Sequence, residues 1–166
     1  MMNILFVCSG NTCRSPMAET LMDDLVDRSS SLRGEVRVKS AGTFACEGAH
    51  ATPEAVRVME EMGHKLKRHE AEQFSPEGAK WADLILAVAK EQMEQMEVLA
   101  PEDVGKMHTL LGYVEGVYGE PDGQEYDICD PFDEGLEEYR ACAQQIQTGV
   151  ERLADLLTQD IEEQND

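Results

Sequence analysis

Between Cys8 and Ser15 the chain reads Cys-Ser-Gly-Asn-Thr-Cys-Arg-Ser, with Pro16 next. A thiol, a guanidinium and a polar glycine-containing loop at this spacing can hold a tetrahedral anion and attack it. Ser15-Pro16 is a helix-start signal, with serine as N-cap and proline at the first helical position. The loop therefore empties into a helix N-terminus, where backbone N–H groups and the positive end of the helix dipole converge. Arg14 adds a planar fork that grips two phosphate oxygens at once. An arginine in a first helical turn opposes the dipole unless an anion compensates it. Cys8 opens the loop and faces the same point, and such surroundings bring a thiol pKa from about 8.5 into the range of about 3.5–7.5. Taken singly, Cys8 reads as a small buried hydrophobe and Arg14 as a surface residue. Together, directly after an apolar run, they read as an activated nucleophile beside an anion cradle.

Phosphoryl transfer to a cysteine also needs an acid for the leaving group, which later activates water against the thiophosphate intermediate. Asp130 is the candidate. It stands in Asp127-Ile128-Cys129-Asp130-Pro131-Phe132-Asp133, where Pro131 restrains the backbone after it and the acidic neighbours Asp127, Asp133 and Glu134 favour a protonated carboxyl. An isolated aspartate before proline is more commonly a turn residue. The cysteine loop makes catalysis the better account.

These groups need elements to position them. Asn3–Val7 is a continuous apolar run, as in a strand buried on both faces of a parallel sheet. After it come a helix carrying Leu21, Met22, Leu25 and Val26 on one face, and a short strand Val36–Val38 entering Ser40-Ala41-Gly42-Thr43. Thr52-Pro53 starts a second helix that buries Ala55, Met59 and Met62 and stops at Gly63, and Ser75-Pro76 starts a brief one. Residues 82–88 form a third strand, a helix near Glu91–Leu99 follows, and a weaker strand lies near Met107–Leu110. Tyr113–Asp133, rich in Gly, Pro, Asp and Glu, reads as a long functional loop. In the last helix Leu136, Tyr139, Ala143, Ile146, Val150, Leu153 and Leu157 form one apolar stripe. The expected domain spans residues 1–166, with 158–166 as a frayed acidic tail. Strands alternating with helices predict a three-layer α/β domain with a parallel sheet, and ligands sit at the carboxyl ends of such strands, where the Cys8–Ser15 loop falls.

The 166 residues amount to about one domain. The net charge of −20 argues against nucleic-acid and anionic-membrane partners. It is unevenly placed: residues 1–90 hold 13 acids and 11 bases, residues 91–166 hold 21 acids and 3 bases. An anion site belongs in the first half. No segment approaches the roughly 18 apolar residues of a membrane span, and the start of the chain lacks a basic region followed by an apolar one. The expected location is the cytoplasm. Five cysteines, an odd number, fit reduced thiols. The histidines show no paired spacing, so no metal is expected.

Cys8–Ser15, Ser40-Ala41-Gly42 and Asp130-Pro131 resemble, in order and spacing, the low-molecular-weight protein tyrosine phosphatase family. The resemblance spans nearly the whole chain. It implies a four-stranded parallel sheet flanked by helices, no cofactor or metal, a phosphocysteine intermediate, phosphorylated protein substrates and inorganic phosphate as product; a monomer is expected. Cys8, Arg14 and Asp130 take the catalytic positions, and Ser9, Gly10, Asn11, Thr12, Cys13 and Ser15 complete the phosphate loop. Asn11 resembles the asparagine that braces the cradle, with Ser40 and His69 as its partners, and Ser15 would bond the Cys8 thiolate. Cys13 resembles the family's second cysteine, which pairs with the nucleophile under oxidation; a packing role for it stays open. Thr12 resembles the bacterial protein arginine phosphatase branch, where tyrosine-specific members carry a bulky aliphatic residue. In that branch Asp130 would both recognise the guanidinium and transfer the proton. Phe132 and Phe44 are candidate pocket walls or core residues. Phosphoarginine is the preferred substrate, phosphotyrosine the alternative. A thiol-dependent arsenate reductase shares the loop but needs a cysteine pair after the third strand, and none lies between Cys46 and Cys129. A non-catalytic phosphate-binding module would have no use for Cys8, Arg14 and Asp130 together.

Overall fold

A computed structural model describes residues 1–66 and 68–166. Four parallel strands, β1 (Met2–Cys8), β2 (Val36–Gly42), β3 (Leu84–Ala87) and β4 (Met107–Thr109), form one sheet in the order β2-β1-β3-β4. Among the described residues six α-helices accompany them: α1 (Arg14–Arg28), α2 (Pro53–Glu61), α3 (Pro76–Trp81), α4 (Lys90–Leu99), α5 (Leu110–Val114) and α6 (Leu136–Asn165), with a 3-10 turn over Pro101–Lys106. The expected three-layer α/β architecture is present.

The period-two alternation of a strand explains why β1 is apolar from Ile4 to Cys8. Ile4, Phe6 and Cys8 belong to the core shared with α1, α2 and α6, whereas Leu5 and Val7 belong to a second core with α3 and α4. Both faces of β1 are dry, and both must be apolar. The same alternation sends Cys8 to the α1 side.

Thr52 and Ser75 cap their helices as expected, accepting from Ala55 N (3.3 Å) and Gly78 N (3.1 Å). Ser15 does not cap α1. The helix begins at Arg14 with Cys13 at the capping position and no side-chain cap, because the Ser15 hydroxyl is engaged by the Cys8 sulfur. β2 runs on to Gly42, so Ser40-Ala41-Gly42 lies on the strand rather than after it. The fourth strand ends at Thr109, whose hydroxyl accepts from Gly112 N (3.1 Å) and starts α5. The first residues of the expected long loop are thereby helical. At the other end of the chain, α6 continues through Asn165, where a frayed tail was expected. Ile161 extends the apolar stripe one turn past Leu157 and packs on the core, and Ser31 donates to Glu162 (3.5 Å).

Candidate active site

Residues 8–14 turn between β1 and α1 at the carboxyl end of the sheet. The Cys8 carbonyl accepts from Thr43 N (3.0 Å), that of Ser9 from Phe44 N (2.9 Å), that of Asn11 from His69 Nε2 (2.6 Å) and that of Thr12 from Thr52 N (2.9 Å). The C=O and N–H of one peptide plane point in opposite directions. These outward carbonyls therefore turn the N–H groups of Ser9, Gly10, Thr12 and Cys13 inward, and Asn11 N itself points at Cys8 Sγ (3.2 Å). Such a ring of amides at a helix N-terminus holds an anion without spending side chains.

Asn11 is the brace of this loop. Its backbone is left-handed (φ 57°), a conformation that asparagine tolerates better than most residues. The side chain is fully buried; Nδ2 donates to Ser15 Oγ (2.8 Å) and Ser40 Oγ (2.9 Å), and Oδ1 accepts from Glu72 N (2.9 Å). Ser40 in turn donates to Glu19 Oε1 (2.5 Å). Burial pushes the Glu19 carboxyl up, against the lowering effect of the Ser40 hydrogen bond. Ser40 and His69 thus meet Asn11 as expected. Glu19 was not anticipated, although its place four residues after Ser15 on α1 sets it on the same helix face.

Ser15 Oγ lies 2.9 Å from Cys8 Sγ and 3.3 Å from the Ala41 carbonyl. Asn11 fills one of its lone-pair directions, so its single proton goes to one of these two acceptors. When the sulfur is ionised, the thiolate takes it.

Gly42 explains the role of the Ser40-Ala41-Gly42 segment. A Cβ there would lie 2.4 Å from the Ser9 carbonyl oxygen and 2.9 Å from Asn11 N. The Cys8–Ser15 loop packs directly on this strand end, and only glycine leaves room. Within the loop, Cys13 is buried with Sγ 3.4 Å from the Tyr139 hydroxyl, and burial pushes its thiol up. Gln92 on α4, also unforeseen, donates to Ser9 Oγ (2.8 Å); no spacing signal in the sequence points to it.

Arg14 is buried, with Nη1 donating to the Ile128 carbonyl (3.0 Å) and Nη2 3.6 Å from Asp130 Oδ2. Asp130 Oδ1 accepts from Phe132 N (3.1 Å), and its side chain is 60% exposed. Of the acidic neighbours invoked for Asp130, one is turned elsewhere. Arg14 is the charge Asp130 faces, and Asp127 is drawn off to accept from Lys90 N (2.8 Å) at the start of α4. The resulting cleft of about 360 Å³ has Cys8, Thr12 and Arg14 in its lining, together with Asp130, Phe44 and Phe132. Phe44 and Phe132 are 73% and 56% exposed; they are walls of the cleft, not core. Cys46 and Ala49, also in the lining, were missed because nothing in their spacing marks them. Among the described residues no group of three or more His, Cys, Asp or Glu side chains is placed to hold a metal ion.

A parallel α/β sheet with a thiol and a buried arginine in an amide cradle at its carboxyl end defines a cysteine-based phosphatase. Residues 3–165 match the family model described as low molecular weight phosphotyrosine protein phosphatase, and the chain belongs to that family. It is 40% identical over 154 residues to the protein-arginine-phosphatase of Geobacillus stearothermophilus (93% of this chain, 95% of the relative). It is 36% identical over 152 residues to the low molecular weight protein-tyrosine-phosphatase Wzb of Escherichia coli K12 (92% and 90%). Among solved structures, the YwlE arginine phosphatase from G. stearothermophilus superposes with a TM-score of 0.86 at 37% identity, covering 98% of this chain and 97% of that one. A YwlE arginine phosphatase mutant with a phosphorylated active site serine gives 0.85 at 34% identity (96% and 97%). The chain is a phosphatase acting on phosphorylated proteins.

Proposed function

We propose that this phosphatase hydrolyses phosphoarginine on proteins through a phosphocysteine intermediate. The loop amides and Arg14 hold the phosphoryl oxygens over Cys8. The thiolate attacks phosphorus, and the P–N bond breaks as protonated Asp130 delivers its proton to the departing guanidine. Arginine leaves as guanidinium. Asp130, now ionised, takes a proton from water, whose oxygen attacks the phosphocysteine. Inorganic phosphate departs, and Ser15 donates to the sulfur as it regains its charge.

The observation that carries the arginine reading is Thr12 in the lining of the cleft that also holds Asp130. A short side chain with a hydroxyl leaves space and a polar contact for a planar, cationic guanidinium, and the protonated Asp130 carboxyl keeps one oxygen free to accept from its N–H groups. The likeness to proteins named protein-arginine-phosphatase supports it. Phosphotyrosine is the second reading, favoured by the two exposed phenylalanines, which suit an aromatic ring.

The deciding measurement is kcat/KM on phosphoarginine and phosphotyrosine proteins, for the native chain and for Thr12→Ile. The native chain should prefer phosphoarginine. Thr12→Ile should shift the ratio toward phosphotyrosine by on the order of tenfold, the scale of discrimination from one to two methylenes in a pocket. A native preference for phosphotyrosine, or an unchanged ratio in the variant, overturns the arginine reading.

A further inference from the structure

The oxidation chemistry that the resemblance suggests concerns Cys8 and Cys13, but two other cysteines meet next to Asp130. We propose that Cys129 and Cys142 are an oxidisable dithiol, which hydrogen peroxide closes to a disulfide that ties the Asp130 loop to α6.

Cys129 is exposed and Cys142, on α6, is buried. Cys142 Sγ lies 3.4 Å from the Cys129 carbonyl oxygen. Cys129 N and Sγ both donate to Gln145 Oε1, at 3.3 and 3.2 Å. Gln145 is three residues beyond Cys142, on the same helix face, so the backbone at Cys129 lies along α6 with both sulfurs on the side where the two elements touch. The Cys129 thiol acts directly on Cys142; after burial, it is the largest influence raising that thiol. A disulfide needs Cα atoms about 4.4–6.8 Å apart, and the Cys142 Sγ contact with the Cys129 carbonyl oxygen sets the two residues side by side.

Exposure and burial divide the roles. The Cys129 thiolate attacks one peroxide oxygen, the O–O bond breaks, and hydroxide leaves, takes a proton and departs as water. The product is a sulfenic acid at Cys129. Cys142 Sγ then attacks Cys129 Sγ, the S–O bond breaks, and the thiol proton of Cys142 departs with the hydroxyl as a second water. Two thiols are oxidised by two electrons in all and one peroxide is reduced to two waters. The burial that raises Cys142 makes it a poor first target and leaves it as the resolving partner.

Bond formation replaces the Cys142–Cys129 contact and the Gln145 contacts, and it pulls on the residue between the Ile128 carbonyl, which anchors Arg14, and Asp130. That effect on turnover rests on the proposed role of Asp130; the bond itself does not.

The test uses the full chain carrying Cys8→Ser and Cys13→Ser, leaving Cys46, Cys129 and Cys142. After hydrogen peroxide and alkylation, trypsin cleaves behind Lys106, Arg140 and Arg152, which separates Cys129 (residues 107–140) from Cys142 (residues 141–152). The two peptides should be recovered linked and should separate on reduction. Recovery of both peptides unlinked, with Cys129 alkylated or oxidised to sulfinic acid, overturns the proposal. A second arm oxidises the native chain and Cys129→Ser under saturating inorganic phosphate, which shields Cys8, and then assays turnover after phosphate removal. The native kcat should fall by on the order of tenfold and recover with a dithiol reductant, while Cys129→Ser stays unaffected. Linked peptides with an unchanged native kcat would leave the dithiol standing and count against Asp130 as the acid.

Discussion

Arg14 Nη1 donates to the Ile128 carbonyl at 3.0 Å, joining the Cys8–Ser15 loop to the segment that carries Asp130 across more than a hundred residues of sequence. The cation proposed to hold the phosphoryl group and the carboxyl proposed to serve the leaving group are held in one frame. That frame makes the consequences of single substitutions specific.

Replacing Cys8 by serine should remove turnover while sparing phosphate binding. The amide ring and Arg14 remain, but an alcohol in place of a thiolate is a far weaker nucleophile. Phosphate affinity by calorimetry within a few-fold of native, together with no detectable turnover, is the expected pair of results. Unchanged turnover would sink the mechanism.

Asp130→Asn should lower kcat by about 10²–10⁴-fold on phosphoprotein substrates, the usual contribution of a general acid. The loss should shrink on an aryl phosphate whose phenol leaves without help. Because the side chain is largely exposed, the fold should survive, and an unaltered thermal midpoint checks this.

Gly42→Ala should damage the cradle from outside it. The added methyl meets the Ser9 carbonyl at 2.4 Å, and backbone cannot swing aside as a side-chain tip would. A destabilisation of about 1–3 kcal/mol, read from denaturant unfolding, should come with weakened phosphate binding. A silent substitution would mean that the loop does not rest on this strand.

Glu19→Gln tests the brace through pH. Burial raises the Glu19 carboxyl in the folded protein, so its favourable contribution is present below the ordinary carboxylate range. It is lost as pH rises through the folded-state value. Glutamine keeps an oxygen for the Ser40 hydroxyl and carries no charge. The thermal midpoint of the variant relative to native should therefore climb as pH is raised from acid toward neutrality, and a difference independent of pH refutes the argument.

What the sequence determined by itself was local. Hydrophobic runs in the strands, Ser/Thr-Pro helix starts and the apolar stripe of α6 follow from nearest-neighbour periodicity and capping chemistry. They sufficed for the fold class, and with the Cys8–Ser15 loop they placed the site at the sheet's carboxyl end. Tertiary structure decided the rest, because it depends on which groups compete for the same partner. The Ser15 hydroxyl caps nothing, since the Cys8 sulfur is closer to hand. Asp127 bonds the first turn of α4, and Asp130 faces Arg14, more than a hundred residues away in sequence. Glu19, Gln92 and the Ile128 carbonyl join the site from separate elements with no motif to announce them. Residues adjacent in sequence share a backbone, but a charge or a proton responds only to what lies a few ångströms away, and folding sets those distances.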